Sequence, residues 1–202
     1  MTNSCQFDNR MKIFYEHELF FSVVKDGGVC YTVTSIFSEV CMLYFILAIF
    51  SLLIVCADQI TKYLTVAHIP LGDIIPVWDG VFHFTYLRNT GMAFSLLEGG
   101  RWFFLVLTIA ALVLMVLAVV KKWVVHPTGL WALAAIAGGA VGNLIDRVRF
   151  GYVVDMIEVE FMDFAVFNVA DSFVVCGAVL LVIYEIFFDK PKKETGHDSD
   201  AG

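Results

Sequence analysis

Four long apolar stretches dominate the chain, and polar connections separate them. They cover residues 42–63, 102–120, 129–146 and 167–188. Each is close to the roughly 20 residues that an α-helix needs to cross the hydrocarbon core of a bilayer. The pattern therefore predicts an all-α membrane protein with four transmembrane helices.

The connection between the first and second spans has a different pattern. Residues 81–87 alternate aromatic with mixed side chains, which is the period of two typical of a strand, and turn residues follow at Asn89 to Gly91. We expect a small β-sheet here, forming a cradle at the membrane surface, where aromatic rings are enriched. For the connection between the third and fourth spans we expect a loop or an interfacial helix.

The two ends of the chain carry no motif. We interpret residues 1–41 as an N-terminal extension, either a cytoplasmic lead-in or a segment upstream of a working start at Met42, and the second interpretation is preferred. The membrane domain is expected at residues 42–190. The polar residues 191–202 are expected to form a cytoplasmic tail.

Composition agrees with the membrane prediction and excludes other classes. Hydrophobic residues make up 59% of the chain and charged residues only 16%, against roughly a quarter charged in a soluble domain. The net charge of -7 argues against a nucleic-acid partner. The five cysteines form no C-x-x-C pair and the five histidines show no ligand spacing, so we expect no disulfide framework, no metal and no cofactor.

Lysines near the span ends predict the orientation. By the positive-inside rule, their side of the membrane is the cytoplasm, so both termini are expected inside and the sheet outside. The lysines that cluster on this side are Lys121, Lys122, Lys190, Lys192 and Lys193. Arginines on the outer side go against the rule, so we expect them to have partners. They are Arg88, Arg101, Arg147 and Arg149.

Three aspartates are predicted at one level, near the outer membrane surface. Asp155 follows the third span, Asp171 lies at the start of the fourth, and Asp58 is late in the first. A charged aspartate at the centre of a membrane helix costs about 2.5–3.5 kcal/mol, so such residues indicate a site or a buried polar network. Asn168 and Asp171 are three residues apart and share one helix face.

Two neighbouring carboxylates have a known chemical use. Because two like charges a few Å apart do not both ionise easily, one keeps a proton while the other stays anionic. The anionic group can activate water, and the protonated group can polarise a carbonyl or protonate a leaving amine. This is the chemistry of aspartic peptidases.

Two other classes of function compete with a peptidase. A small transporter or proton-conducting protein also uses intramembrane acids, but it favours acids spread through the bilayer depth and interrupted helices. A structural membrane subunit would tolerate Asn in place of the aspartates.

Several blocks of the sequence resemble the lipoprotein signal peptidases, also called signal peptidase II, in order across about residues 42–190. The blocks are Asp58-Gln59 with Thr61-Lys62; Arg88-Asn89-Thr90-Gly91-Met92-Ala93-Phe94-Ser95; Gly138-Gly139-Ala140 through Gly142-Asn143-Leu144-Ile145-Asp146-Arg147; Val153-Val154-Asp155; and Phe167-Asn168-Val169-Ala170-Asp171-Ser172. Any one block is weak evidence, whereas all of them in order are highly specific.

The resemblance implies a multi-pass aspartic endopeptidase of the bacterial inner membrane. We expect it to be a monomer, and the topology of the spans predicts a site near the outer face. Its substrate would be a prolipoprotein whose cysteine carries diacylglycerol, cut just before that cysteine, and its other partner membrane lipid. The catalytic pair would be Asp155 and Asp171. Supporting residues would be Asp58, Asn89, Asn143, Arg147 and Asn168.

Simpler structural interpretations stand beside these roles. Asp58 and Lys62 are four residues apart and can neutralise each other. Asn143 can bond across helices without a role in catalysis, and Arg147 can pair with Asp146. Glycines at small-x-x-x-small spacing in the third span, such as Gly138 and Gly142, predict close helix packing.

Overall fold

The computed structural model describes residues 22–25, 29–91 and 101–187, with side chains from residue 40 onward. The elements are β1 (Ser22–Lys25), β2 (Val29–Thr32), α1 (Val33–His68), β3 (Ile74–Trp78), β4 (Phe82–Asn89), α2 (Arg101–Val120), α3 (Pro127–Arg149), β5 (Val153–Val159) and α4 (Val169–Phe187). Two compact units divide the chain, residues 1–46 and 47–202. In the first, β1 and β2 pair as an antiparallel hairpin. The predicted tail at 191–202 lies outside the described residues.

The four predicted membrane helices are confirmed. In the part of the chain that the structure describes, four helices are long and apolar enough to cross a membrane: Val40–His68 within α1, and the whole of α2, α3 and α4. α1 differs from the sequence prediction at both ends, since it begins at Val33 rather than at residue 42 and continues past residue 63 to His68. The charged residues Asp58 and Lys62, near the C-terminal end of α1, do not end the helix because polar groups of α3 and α4 pair with them.

A three-stranded antiparallel sheet, in the order β3-β4-β5, accompanies the helices, so the predicted small sheet is confirmed. The structure places Asp155 on β5, a strand in the connection for which we expected a loop or an interfacial helix. β5 pairs with β4, and Leu87 lies opposite Asp155 after an irregularity in the register. This connection becomes a strand because β4 supplies hydrogen-bonding partners from a distant part of the sequence.

Glycines let α3 approach two neighbours closely, which confirms their predicted packing role. A Cβ added at Gly138 would lie 3.0 Å from Ile54 of α1, and one at Gly142 would lie 2.5 Å from the carboxylate of Asp58. A Cβ at Gly139 would collide with the backbone carbonyl of Ala170 in α4. α3 is therefore held between α1 and α4, and it is the most buried of the four helices.

The centre of this packing is polar. The described side chains with almost no exposed surface include Asp58, Asp146, Asp155 and Asn168. Large apolar side chains of α1, α2 and α4 are instead exposed, as expected for helices that face lipid. The fold therefore buries a polar cluster between α1, α3, β5 and the start of α4.

Candidate active site

The start of α4 positions Asp171. Asn168 is the residue before the helix, and its Oδ1 accepts a hydrogen bond from the backbone N–H of Asp171 at 2.9 Å. In return, the Asp171 carboxylate accepts one from the backbone N–H of Asn168 at 3.2 Å. This reciprocal capping box satisfies two backbone donors at the helix start. The carboxylate of Asp171 therefore lies in the first turn of α4.

Asp155 lies on β5 and is almost completely buried, with 2% of its surface exposed. Its Oδ1 accepts a hydrogen bond from Asn168 Nδ2 at 2.7 Å, and its Oδ2 accepts one from Asn89 Nδ2 at 2.9 Å. Asn168 thus contacts both aspartates, which makes them neighbours. The structure brings the two predicted catalytic residues together.

Burial raises the pKa of Asp155 to about 6. The hydrogen bond from Asn89 opposes this increase, the negative charge of Asp171 adds to it, and the hydrogen bond from Asn168 opposes it again. The protonated form of Asp155 is therefore populated at mildly acidic pH. The two carboxyl groups are in different environments, as the chemistry of an acid–base pair requires.

The side chain of Asn143, on α3, reaches Asp171. Its Nδ2 donates to Asp171 Oδ1 at 2.7 Å, while its Oδ1 accepts from Lys62 Nζ at 2.9 Å and from Asn168 Nδ2 at 3.1 Å. The hydrogen bond to Lys62 is the kind of cross-helix bond that a purely structural asparagine makes. The hydrogen bond to Asp171 is additional and brings Asn143 into contact with the aspartate pair.

Asp58 contacts the backbone beside Asp171 and not the carboxylates of the pair. Its Oδ1 accepts from the backbone N–H of Ala170 at 3.0 Å, in the first turn of α4, and its Oδ2 lies 2.8 Å from Lys62 Nζ. The predicted pairing with Lys62 is thus present. In addition, Asp58 holds the helix start that carries Asp171.

Arg147 forms no ion pair within 4 Å with an acidic residue in the described part of the chain, so the pairing with Asp146 considered from the sequence is wrong. Its guanidinium carbon lies 5.2 Å from the ring centroid of Phe104, and its charge acts on Asp171 and Asp155. The other outer arginines also have partners, as expected, and these are aromatic rings, a tyrosine hydroxyl or a carbonyl group. Arg88 stacks over Tyr152 at 5.0 Å, and Arg101 Nη2 donates to the Val148 carbonyl at 2.6 Å.

The family model described as signal peptidase (SPase) II matches residues 49–187, which include all seven predicted site residues. The chain belongs to the signal peptidase II family. The resemblance drawn from the sequence blocks is thereby confirmed, and the chain is a membrane-embedded protease.

Curated relatives and a solved structure agree with the family. A lipoprotein signal peptidase of Streptococcus pyogenes serotype M2 (strain MGAS10270) is 46% identical over 136 residues, covering 65% of this chain and 87% of the relative. One of Enterococcus faecalis (strain ATCC 700802 / V583) is 44% identical over 156 residues, covering 76% and 93%. A solved bacterial membrane enzyme is 33% identical, with a TM-score of 0.66, covering 70% of this chain and 92% of that structure.

Sequence reasoning did not assign site roles to three residues that support the pair in this signal peptidase II member: Gln59, Lys62 and Asp146. Asp146 Oδ2 accepts from the backbone N–H of Val154, beside Asp155, at 3.1 Å and lies 3.0 Å from Lys62 Nζ. Gln59 Nε2 donates to Asp146 Oδ1 at 2.9 Å. The available signal was their position, since all three are polar residues close to the outer ends of apolar spans.

Proposed function

We propose that this signal peptidase II member is an aspartic endopeptidase that removes the signal peptide from diacylglyceryl-modified bacterial prolipoproteins. The cut falls just before the lipidated cysteine. The observation that carries this proposal is the arrangement of Asp155 and Asp171, which Asn168 joins at the start of a membrane helix. The names of the curated relatives support the class of substrate.

The two carboxyl groups have separate roles in the reaction. The Asp171 carboxylate takes a proton from a water molecule, whose oxygen attacks the carbonyl carbon of the scissile peptide bond. Asp155 in its protonated form donates to the carbonyl oxygen. When the C–N bond breaks, the proton held by Asp171 passes to the leaving amine of the lipidated cysteine. One hydroxyl of the tetrahedral intermediate returns its proton to Asp155, so the signal peptide leaves with a new carboxyl group and the aspartate pair again holds one proton.

Support for this division comes from the surroundings of each group. Burial raises the pKa of Asp155 to about 6, which favours its protonated form relative to an ordinary aspartate. Asp171 accepts from Asn143 Nδ2 and lies in the first turn of α4, so its carboxylate has donors on the protein side. Asn89 and Asn168 orient Asp155, while Arg147 and Asp58 support the charge and position of Asp171.

The site belongs near the outer face of the bacterial inner membrane, with both termini in the cytoplasm. The topology supports this placement because the end of α3 and the start of α4 share one side, while Lys121 and Lys122 lie at the opposite end of α3. A lipid-anchored peptide in the outer leaflet would present its scissile bond at that level. We propose that the enzyme acts as a monomer in contact with membrane lipid.

Cleavage of a synthetic prolipoprotein peptide by the purified full chain tests this function. One peptide carries diacylglycerol on its cysteine, and a matched peptide carries the free thiol. Mass spectrometry should find a product that begins with the lipidated cysteine, and little product from the thiol peptide. A cut at another bond, or equal cleavage of both peptides, would contradict the proposal.

A further inference from the structure

In the described part of the chain, three asparagine amides donate hydrogen bonds to the two aspartates, and in two of them a backbone N–H fixes the amide oxygen. Asn89 Oδ1 accepts from the N–H of Gly91 at 2.9 Å, where Gly91 adopts a φ of 89°. Asn168 Oδ1 accepts from the N–H of Asp171 at 2.9 Å. Because an amide has one accepting end and one donating end, fixing the oxygen directs the NH₂ group at the carboxylate.

The third amide, Asn143, has side-chain donors at its oxygen. The shortest contact comes from the ammonium group of Lys62, whose Nζ lies 2.9 Å from Asn143 Oδ1, and Asn168 Nδ2 is farther away at 3.1 Å. The opposite end of the same amide donates to Asp171 Oδ1 at 2.7 Å. An ammonium group has donors and no acceptor, so it tolerates only the orientation in which Asn143 Nδ2 faces Asp171.

Lys62 is itself held in place. Its Nζ lies 2.8 Å from Asp58 Oδ2 and 3.0 Å from Asp146 Oδ2, and only 4% of its side chain is exposed. With Asn143 Oδ1, these acceptors match the three N–H groups of an ammonium. Turning the lysine away from Asn143 would leave a buried donor and a buried acceptor unsatisfied.

We propose that Lys62 is a positioning residue for the reaction, acting through Asn143 to hold a donor on the Asp171 carboxylate. This inference rests on the proposed function, because it assigns Lys62 to the carboxylate pair that performs the cleavage. A lysine that only neutralised Asp58 would not need its contact with Asn143. The positioning role gives that contact a function.

The positive charge of Lys62 should also affect the pH dependence of cleavage. Its positive charge lowers the pKa of Asp155 and so opposes the effect of burial. The reactive form of the pair holds one proton, and the alkaline limb of the pH profile reports loss of that proton. Removing the charge raises the pKa of Asp155 further, and the alkaline limb moves to higher pH.

Two substitutions separate the donor from the charge. Lys62→Met removes both, and we expect the cleavage rate at the optimal pH to fall about tenfold to a hundredfold, the range for losing a hydrogen bond that involves a charged group. Lys62→Gln keeps a donor for Asn143, so its rate should fall less. Both variants should move the alkaline limb to higher pH. Cleavage of the diacylglyceryl peptide by the full chain is measured across pH, per folded molecule.

Controls separate this inference from the proposed function. Lys121→Met removes an exposed lysine from the other end of α3 and should change neither rate nor profile. Asp171→Asn is assayed in parallel, and cleavage by that variant would overturn the proposed function itself. If Asp171→Asn is inactive but both Lys62 variants keep the wild-type rate per folded molecule and the wild-type profile, the positioning role is overturned.

A charge-balanced variant covers the case in which the single variants do not fold. Lys62→Gln with Asp58→Asn removes one cation and one anion and keeps a donor for Asn143. It should cleave faster than Lys62→Met with Asp58→Asn, which lacks that donor. Equal rates and equal pH profiles for the two double variants would overturn the inference.

Discussion

Two clusters in this protein each place a basic side chain between two carboxylates, and they differ in how much water reaches them. In the helical part, Lys62 lies between Asp58 and Asp146, and the three side chains are 4%, 0% and 1% exposed. In the sheet, His83 lies between Glu158 and Glu160, with both ring nitrogens 2.8 Å from a carboxylate oxygen. These side chains are 9%, 37% and 33% exposed.

Burial decides what each cluster can do. Around Lys62, every charged atom depends on its protein partners because water does not replace them, so the cluster fixes geometry. Around His83, water reaches the glutamates, and the hydrogen bonds to Glu160 and then Glu158 raise the pKa of the histidine. In our proposal the first cluster supports the aspartate pair rigidly, whereas the second is expected to link β4 to β5 in a way that responds to pH and salt.

The largest effect is expected from breaking the buried cluster. Asp146→Ala leaves Lys62 short of one partner and removes the acceptor for the backbone N–H of Val154. Removing one partner of a buried ion pair destabilises a protein by about 3–5 kcal/mol. Thermal or chemical denaturation of the detergent-solubilised protein measures the loss.

The matched control is Asp163→Ala, which removes an exposed carboxylate from the connection that follows β5. It should leave the free energy of unfolding within about 0.5 kcal/mol of wild type. A loss as small as this for Asp146→Ala would show that the buried cluster contributes no more than a surface charge.

A smaller loss is expected from Gly142→Ala. The new methyl group would lie 2.5 Å from Asp58 Oδ2 and 3.3 Å from the Cβ of Ala170, so the Asp58 carboxylate or the helices around it must shift to accept it. Overpacking of this kind costs about 1–3 kcal/mol. Because Asp58 also accepts from the N–H of Ala170, slower cleavage should accompany the lower stability. Unchanged stability would contradict the close packing of α3 against the buried cluster.

The smallest effect is expected at the exposed cluster, and it depends on pH. The pKa of His83 is raised above its ordinary value of 6.5, so its stabilising contribution is complete below pH 6.5 and is lost as pH rises through the folded-state pKa. The pKa of Glu160 is lowered from 4.5, mainly by the hydrogen bond to His83, so its contribution is present above pH 4.5 and is lost as pH falls. The link between β4 and β5 is therefore strongest at mildly acidic pH.

His83→Gln should remove this dependence. The midpoint of thermal unfolding is followed from pH 5 to pH 9 at low and high salt, with His68→Gln, a histidine at the exposed end of α1, as the control. Wild type should lose stability relative to His83→Gln as pH rises, and added salt should reduce the difference. Parallel curves at every pH would show that His83 is not held as a cation.

The spans were predictable because hydropathy is a local property. α2, α3 and α4 begin and end within a few residues of the predicted bounds, since their apolar runs are long and turn residues follow them. The end of α1 was predicted too early because Lys62 and Asp58 look like a charged boundary in sequence. Their partners on α3 and α4 are far away along the chain, and those contacts allow the two charged side chains to be buried within α1.

The part of the site that local sequence patterns indicate was also predictable. The short spacing between Asn168 and Asp171 indicated a helix start, and topology placed Asp155 near it. The strand that carries Asp155 was not predicted, because its pairing with β4 joins distant segments of the chain. The contact between Lys62 and Asn143 joins residues 81 positions apart, so no short sequence pattern indicates it. The proposed limits of the membrane domain, residues 42–190, stay a prediction.

The most direct test of the catalytic pair is cleavage of the diacylglyceryl peptide by Asp155→Asn and Asp171→Asn, with Asp163→Asn as the matched control. Asparagine keeps the size of the side chain but neither takes nor gives the proton that the reaction needs. Both site variants should be folded and leave the peptide uncut, and the control should match wild type. Cleavage at the wild-type rate by either site variant would contradict the account.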